Sequence, residues 1–275
     1  MTNQEKHSCM LAILPPELQA EANRLAVEEN PDNMPKDSSD NKELAMIKGK
    51  RWKPGRTIKV SFMDGDPVIQ ANVERHAREW EKYANIHFSF VKDPNAEIRI
   101  SFKHVGSWSF LGTDCLARPK NEPTMNFGWF TRNTSQEEYS RTVIHEFGHA
   151  LGCPHEHSSP LSNIKWNKQA VYDYYMGKPN YWTKEQIDAN LFFKYTLSEA
   201  FATPFDPKSI MVYPIPNSQT MDDFEVAMNS RLSDQDKQFI SQMYPDGNRT
   251  EAEPVLAGTG AGSKAAHVFT GGGSK

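Results

Sequence analysis

The sequence predicts an α/β or α+β domain in which helices pack on a mixed, twisted sheet. Two patterns carry that prediction. Ile58, Val60 and Phe62 alternate with polar residues as a half-buried strand does, and the alternation returns at Ile86, Phe88 and Phe90 and at Ile98, Ile100 and Phe102. Between the first two of these runs, Asp66-Pro67 opens a helical stripe of Ile69, Val73, Ala77, Trp80 and Ala84. A chain of 275 residues is long enough for one or two domains with a sizeable core.

Taken in order, residues 1–48 form a polar arm with one short helix, a candidate regulatory segment. Pro15-Pro16 opens that helix, Leu18, Ala22, Leu25 and Ala26 give it a narrow apolar stripe, and Asn30-Pro31 ends it. Asp32 to Asn41 is charged and lacks aromatic residues, as linkers do. Residues 49–247 carry the periodic patterns and form the main domain. Within it Met125, Phe127 and Trp129 alternate around Gly128, which predicts a short strand at a sheet edge. Ser233 caps a last helix with Phe239, Ile240 and Met243 on its apolar side. Residues 248–275 turn to Gly, Ala and Ser, a composition expected to stay disordered.

Composition excludes several partners. The net charge is -4, from 31 Lys plus Arg against 35 Asp plus Glu, so no basic excess favours nucleic acid or an anionic membrane. No run approaches the roughly 18 apolar residues of a membrane span. The apolar run Cys9 to Leu14 is stopped by Pro15-Pro16 and is shorter than a signal peptide core of about seven to fifteen residues. Cys9, Cys115 and Cys153 are too few for a disulfide framework. The sequence as it stands therefore predicts a cytoplasmic chain, with leaderless export or a missing upstream segment as alternatives. Its oligomeric state is left open.

The most informative segment is Ser135 to His157, SQEEYSRTVIHEFGHALGCPHEH. Ser135 and Glu138 are spaced as a capping box, so a helix should begin at Gln136. It should end near Leu151, where Gly152 suits a left-handed residue. His145 and His149 then lie one turn apart on one face, able to share a metal ion, with Glu146 beside them. The turn at Gly152 lets His155 return as a third ligand. Three imidazoles with an open water position suit a catalytic zinc ion, whereas a structural one is closed by four ligands. With this composition HExxH arises by chance in about 2% of chains, and adding Gly152 and His155 lowers that to about one in 25,000.

HEFGHALGCPHEH resembles the long zinc motif of the metzincin metallopeptidases, HExxHxxGxxH, and Glu156 after the third histidine is similar to the astacin branch. Ser209-Ile210-Met211-Val212-Tyr213 resembles the astacin Met-turn, SxMxY, over a resemblance spanning about residues 50–246. The resemblance implies a metzincin-type catalytic domain with an active-site helix, a Met-turn and a C-terminal helix. It implies one Zn²⁺ ion held by His145, His149 and His155, with Met211 packed beneath it and the Tyr213 hydroxyl approaching it. It implies hydrolysis of peptide bonds in protein or peptide substrates, with Glu146 as general base and Tyr213 stabilising the oxyanion. The family's latency aspartate lies in a Phe-x-Gly-Asp prosegment motif, and residues 1–48 contain no Phe.

Other residues keep two readings. Cys9 is either a thiolate that silences the zinc or a free thiol in a mobile arm. Cys115 and Cys153 either pair or stay free. Glu156 is a surface carboxylate or half of a structural salt bridge, and His157 is a group behind the ligands or at the surface. An extended substrate should align with an edge strand, for which Met125 to Trp129 is the candidate. Trp166, Tyr172, Tyr174, Tyr175 and Trp182 should pack a C-terminal subdomain. A matrixin-like peptidase, a pseudo-peptidase and a structural zinc protein share many of these features. The pseudo-peptidase would be free to lose Glu146, and the structural protein lacks a fourth ligand unless Cys9 supplies it.

Overall fold

The computed structural model describes residues 7–34, 48–196, 200 and 203–246; the expected disordered tail and most of the linker lie outside them. Its strands are β1 (Met10–Ala12), β2 (Thr57–Phe62), β3 (His87–Phe90), β4 (Ile98–Ser101), β5 (Ser107–Phe110) and β6 (Met125–Phe127). Its α-helices are α1 (Pro16–Glu29), α2 (Pro67–Ala77), α3 (Gln136–Ala150), α4 (Lys168–Met176), α5 (Lys184–Ile187) and α6 (Asp234–Met243). The strands form one sheet in the order β1-β5-β6-β4-β2-β3, in which only the β5–β6 pairing is antiparallel. The mixed sheet expected from the alternations is present.

Local chemistry explains most boundaries. In β2 Ile58 and Val60 are buried while Thr57 and Lys59 are exposed, which is the half-buried pattern. All of β4 is buried, as an interior parallel strand requires. Asp66 caps α2 by accepting the Val68 N–H, and Pro67 fills its first position. The stripe to Ala84 outlasts this helix, which gives way to a 3₁₀ turn at Trp80–Lys82. Buried Val73 and Ala77 from α2 join Val143 and Phe147 from α3 and the sheet residues Ile58, Val60, Ile98 and Phe127 in the main core.

Three expectations need correction. β6 is not an edge, because β5 lies outside it and β1 outside β5. The Ser107-Trp108-Ser109-Phe110 alternation that marks β5 is only four residues long, too short to stand out. The capping box of α3 is half formed. Ser135 accepts the Glu138 N–H at 3.1 Å, but the Glu138 carboxylate is taken by Arg141, Trp129 and Thr142. Nor is Cys9 in a mobile arm. β1 adds a strand to the sheet through Met10↔Trp108 to Ala12↔Phe110, and Cys9 is 1% exposed. α1 then packs against the 3₁₀ segment Gly112–Ala117. The three cysteines are buried free thiols, so Cys115 and Cys153 do not pair.

The end of α3 shows how sequence sets geometry here. Gly152 adopts φ +92, and the N–H groups of Gly152 and Cys153 return to the carbonyls of His149 and Gly148 at 2.8 and 3.0 Å. That is a Schellman stop, placed by the one residue type that takes this φ without strain. Carbonyls in the last turns are met from elsewhere: Trp80 Nε1 donates to Ile144, Trp52 Nε1 to Ala150 and Tyr244 Oη to Leu151.

Gly148 in this helix has a packing role. A Cβ there would meet Met211 Sδ at 2.4 Å and Trp80 Cζ2 at 3.0 Å. Gly148→Ala should gain about 1 kcal/mol of helix propensity. Overpacking should cost more, about 1–3 kcal/mol. The expected outcome is a melting temperature lower by about 2–4 °C, measured calorimetrically. A more stable variant would show that Met211 moves aside freely.

Candidate active site and metal centre

His145 and His149 project from α3, and His155 follows the Gly152 turn; all three are at most 4% exposed. Their ligand atoms lie within 4.8 Å of one another, the one such His, Cys, Asp or Glu group among the described residues. Each helix histidine is oriented from behind. His145 Nδ1 donates to the Ile210 carbonyl at 2.8 Å, and His149 Nδ1 donates to the Cys153 carbonyl at 2.7 Å. With the proton held on Nδ1, each Nε2 presents a lone pair to the shared centre. His145 Nε2 is buried without a hydrogen-bond partner, and the Nε2 atoms of His149 and His155 are 3.1 Å apart. An orphaned lone pair facing two further imidazole nitrogens fits a metal ion.

Burial also sets the protonation states. It holds His149 down at about 4, and it pushes His145 and His155 well below the ordinary imidazole range, with His149 adding to both shifts. All three are therefore neutral ligands at pH 7, with no proton to displace before a metal binds.

Glu146 is fully buried, and neither carboxylate oxygen makes a hydrogen bond of regular geometry. Burial raises its proton affinity strongly, against the opposing pull of the nearby Cys9 thiol and the Arg141 guanidinium. Met211 is buried against Gly148 of the same helix that carries His145 and His149. The turn is fixed by Asp236, which accepts Ser209 Oγ at 2.6 Å and the Ile210 N–H at 2.8 Å while its backbone N–H bonds the Ser233 cap of α6. One carboxylate thus ties the C-terminal helix to the carbonyl that orients His145.

Tyr213 is 3% exposed, and its ring lies 4.4 Å from that of His155 and 5.9 Å from that of His145. Its hydroxyl donates to the backbone carbonyl of Cys9. Glu156 is half-buried, and no ion pair to it is found among the described residues. It accepts the Asp206 N–H at 2.9 Å, lines a cavity of about 50 Å³ together with Asp236, and is pushed up to about 7 by burial.

Two residues that kept two readings in the sequence are placed by the fold, His157 behind the ligands and Cys9 beside the site. His157 is fully buried, with its ring stacked on His155 at 5.0 Å and 17° and its Nε2 donating to the Asn190 carbonyl at 2.6 Å. The chain itself supplies a contact at the site, where Cys9 lies beside both Tyr213 and Glu146. Of the predicted subdomain aromatics, Tyr175 and Trp182 cluster with Cys9 and Tyr213, so they pack one wall of this cleft. Alternating strand signals reveal neither contact, since both depend on segments distant in sequence.

A helix-borne histidine pair and a third histidine past a glycine turn, within ligand range of one another, define a zinc metallopeptidase of the metzincin type. The family model for astacin, peptidase family M12A, matches residues 45–244. One structure of myroilysin is 48% identical, with 73% of this chain and 98% of that chain covered at a TM-score of 0.71. A crystal structure of myroilysin is 41% identical over 87% of this chain and 100% of that chain, with a TM-score of 0.57. High choriolytic enzyme 1, a hatching-enzyme zinc protease of the medaka fish Oryzias latipes, is 20% identical with a TM-score of 0.48. It covers 71% of this chain and 94% of its own. No curated protein sequence matches. The chain belongs to the astacin family of zinc-dependent metalloendopeptidases. Among the described residues no helix is long and apolar enough to cross a membrane.

His149→Ala removes one nitrogen ligand and should leave the protein unable to retain zinc, with peptide cleavage lost together with the metal. Metal content by atomic emission, alongside cleavage assays, checks this; a zinc-replete variant would displace His149 from the ligand set.

Proposed function

We propose that this chain hydrolyses peptide bonds with Glu146 as proton carrier and Tyr213 as oxyanion donor, and that the described form is latent. One observation supports both halves of that reading. The Glu146 carboxyl and His145 Nε2 are buried without regular hydrogen bonds, and the chain's own residues 7–12 pack on Arg141, Tyr213 and β5, with Cys9 beside Glu146.

A zinc ion held by His145, His149 and His155 supplies Lewis acidity, lowering the pKa of a water towards neutrality and polarising the scissile carbonyl. Glu146 takes a proton from the attacking water onto its carboxylate and delivers it to the leaving amide nitrogen. Tyr213 Oη donates to a backbone carbonyl within the cleft, here that of Cys9. The same hydrogen bond to a substrate carbonyl strengthens as the oxygen gains negative charge.

In the latent form the arm fills the place of a substrate. His7 stacks on Trp129 at 4.8 Å, the Arg141 guanidinium donates to the His7 carbonyl at 3.3 Å, and β1 covers the β5 edge. The Cys9 thiol lies beside Glu146 and outside the three-histidine group, and with zinc bound it would close the open position as a fourth ligand by moving towards the ion. Its buried thiol resists ionisation in the absence of metal, whereas a coordinating thiol is deprotonated outright. Protein or peptide substrates gain access when the arm leaves. The matrixin-like and pseudo-peptidase readings lack comparable support.

Three outcomes are expected, measured on the zinc-loaded chain before and after limited trypsin treatment. Glu146→Gln should keep its zinc while peptide cleavage falls by about 10²–10⁴-fold, since the carboxylate moves protons and binds no metal. Tyr213→Phe should lower kcat by about 10²–10³-fold with a smaller effect on KM and no loss of zinc. Wild-type turnover in either variant removes that residue from the mechanism. In the cobalt-substituted full chain, wild-type protein should show a thiolate-to-metal absorption band that Cys9→Ser abolishes, while basal cleavage by the zinc form rises. Identical cobalt spectra would leave the arm as a steric plug without a metal-bound thiol.

A further inference from the structure

We infer that Asn190 forms a polar second wall of the cleft and grips the backbone N–H of one residue of a bound peptide. Proline or any N-substituted residue is excluded at that position. The inference rests on the reading of the cleft as a peptide site.

An extended chain turns its backbone polar groups alternately to its two sides. The arm shows both sides engaged. Met10, Leu11 and Ala12 run beside Trp108, Ser109 and Phe110 of the β5 edge. The Leu11 N–H is instead taken by Asn190 Oδ1 at 2.9 Å. A chain lying in this cleft is thus held by sheet pairing on one side and by an asparagine on the other. Three residues earlier the Ser8 N–H is accepted by Asn180 Oδ1 at 3.1 Å, which extends the same wall.

Contacts outside the arm fix the wall. Asn190 is 3% exposed and sits in a single π-helical turn, Asp188–Phe192, which continues from α5. Such turns insert a residue that redirects a side chain, and they recur at functional positions. Asn190 Nδ2 donates to the Gln186 carbonyl at 3.0 Å, so the amide orientation is set and Oδ1 is the atom left to face the cleft. The Asn190 carbonyl accepts from His157 Nε2, and the His157 ring stacks on His155. The residue that grips the peptide therefore also holds the ring behind one metal ligand. A neutral acceptor aimed at an N–H reads backbone and ignores side-chain identity. The exception is a residue without an N–H, which leaves a buried acceptor unpaired.

Two measurements test this, and the first needs no catalysis. In the full-length zinc-loaded chain, hydrogen exchange at the Leu11 amide should be about fivefold or more faster in Asn190→Ala than in wild type. Asn190→Asp keeps the acceptor oxygens and loses the donor to Gln186, so it should retain most of the protection. Loss of protection in both variants, or in neither, overturns the clamp in favour of a purely structural asparagine. The second uses trypsin-treated protein and a cleaved peptide carrying single N-methyl groups in turn. Wild type should reject one such position by about tenfold in kcat/KM beyond its neighbours, and Asn190→Ala should be insensitive to it. A penalty that persists in full in Asn190→Ala overturns the substrate role. If wild type cleaves no peptide at all, the peptidase reading fails, while Leu11 exchange still decides whether Asn190 grips a chain in the cleft.

Discussion

The site depends first on two hydrogen bonds behind it, from His145 Nδ1 to the Ile210 carbonyl and from His149 Nδ1 to the Cys153 carbonyl. Each fixes a tautomer and a ring plane, so a lone pair points where a metal is needed. Each also depends on a distant feature. The Ile210 carbonyl is placed by a turn that Asp236 ties to α6, and the Cys153 carbonyl by the left-handed Gly152. Helix α3 could carry its two histidines alone, but not their orientation. The buried tryptophan and tyrosine donors at its C-terminal half lock the helix itself, which leaves little freedom in the ligand positions.

Burial is the second organising fact. It keeps the three histidines neutral and raises the proton affinity of Glu146, through one cause with opposite consequences for a base and an acid. The burial is partly the work of the arm. Cys9, Tyr213, Tyr175 and Trp182 pack as one cluster over the metal centre, so the same side chains that exclude water also close the cleft. Departure of residues 7–12 would uncover Glu146, free the Tyr213 hydroxyl and open the β5 edge together. On the proposed reading, latency and activity are two occupancies of one groove.

On the same reading, the arm lies as a bound peptide would. Its carbonyl at Cys9 meets the Tyr213 hydroxyl, and its N–H at Leu11 meets Asn190. Both contacts are to backbone. A groove that recognises main chain on both sides suits an enzyme acting on extended protein segments, with residue preference left to the shallower surfaces around it.

Much of the site could be read without coordinates because its signals are local. His145, Glu146, His149 and Gly152 belong to one helix and its stop, where 3.6-residue periodicity and one positive φ dictate geometry. His155 follows within the same turn, and Met211 and Tyr213 lie in one short motif. The strands β2, β3 and β4 and helices α1 and α2 were legible for the same reason, since alternation and capping act over a few residues. What only the tertiary structure decided is non-local. The three-residue β1 exists because β5 offers an unpaired edge, and β6 is interior because β5 and β1 lie outside it. Cys9 meets Tyr213 across 204 residues of sequence, and Leu11 meets Asn190 across 179. A chain this long pays loop-closure entropy that no short pattern records. Propensity therefore determined the helix that carries the chemistry, and packing decided which distant segment covers it.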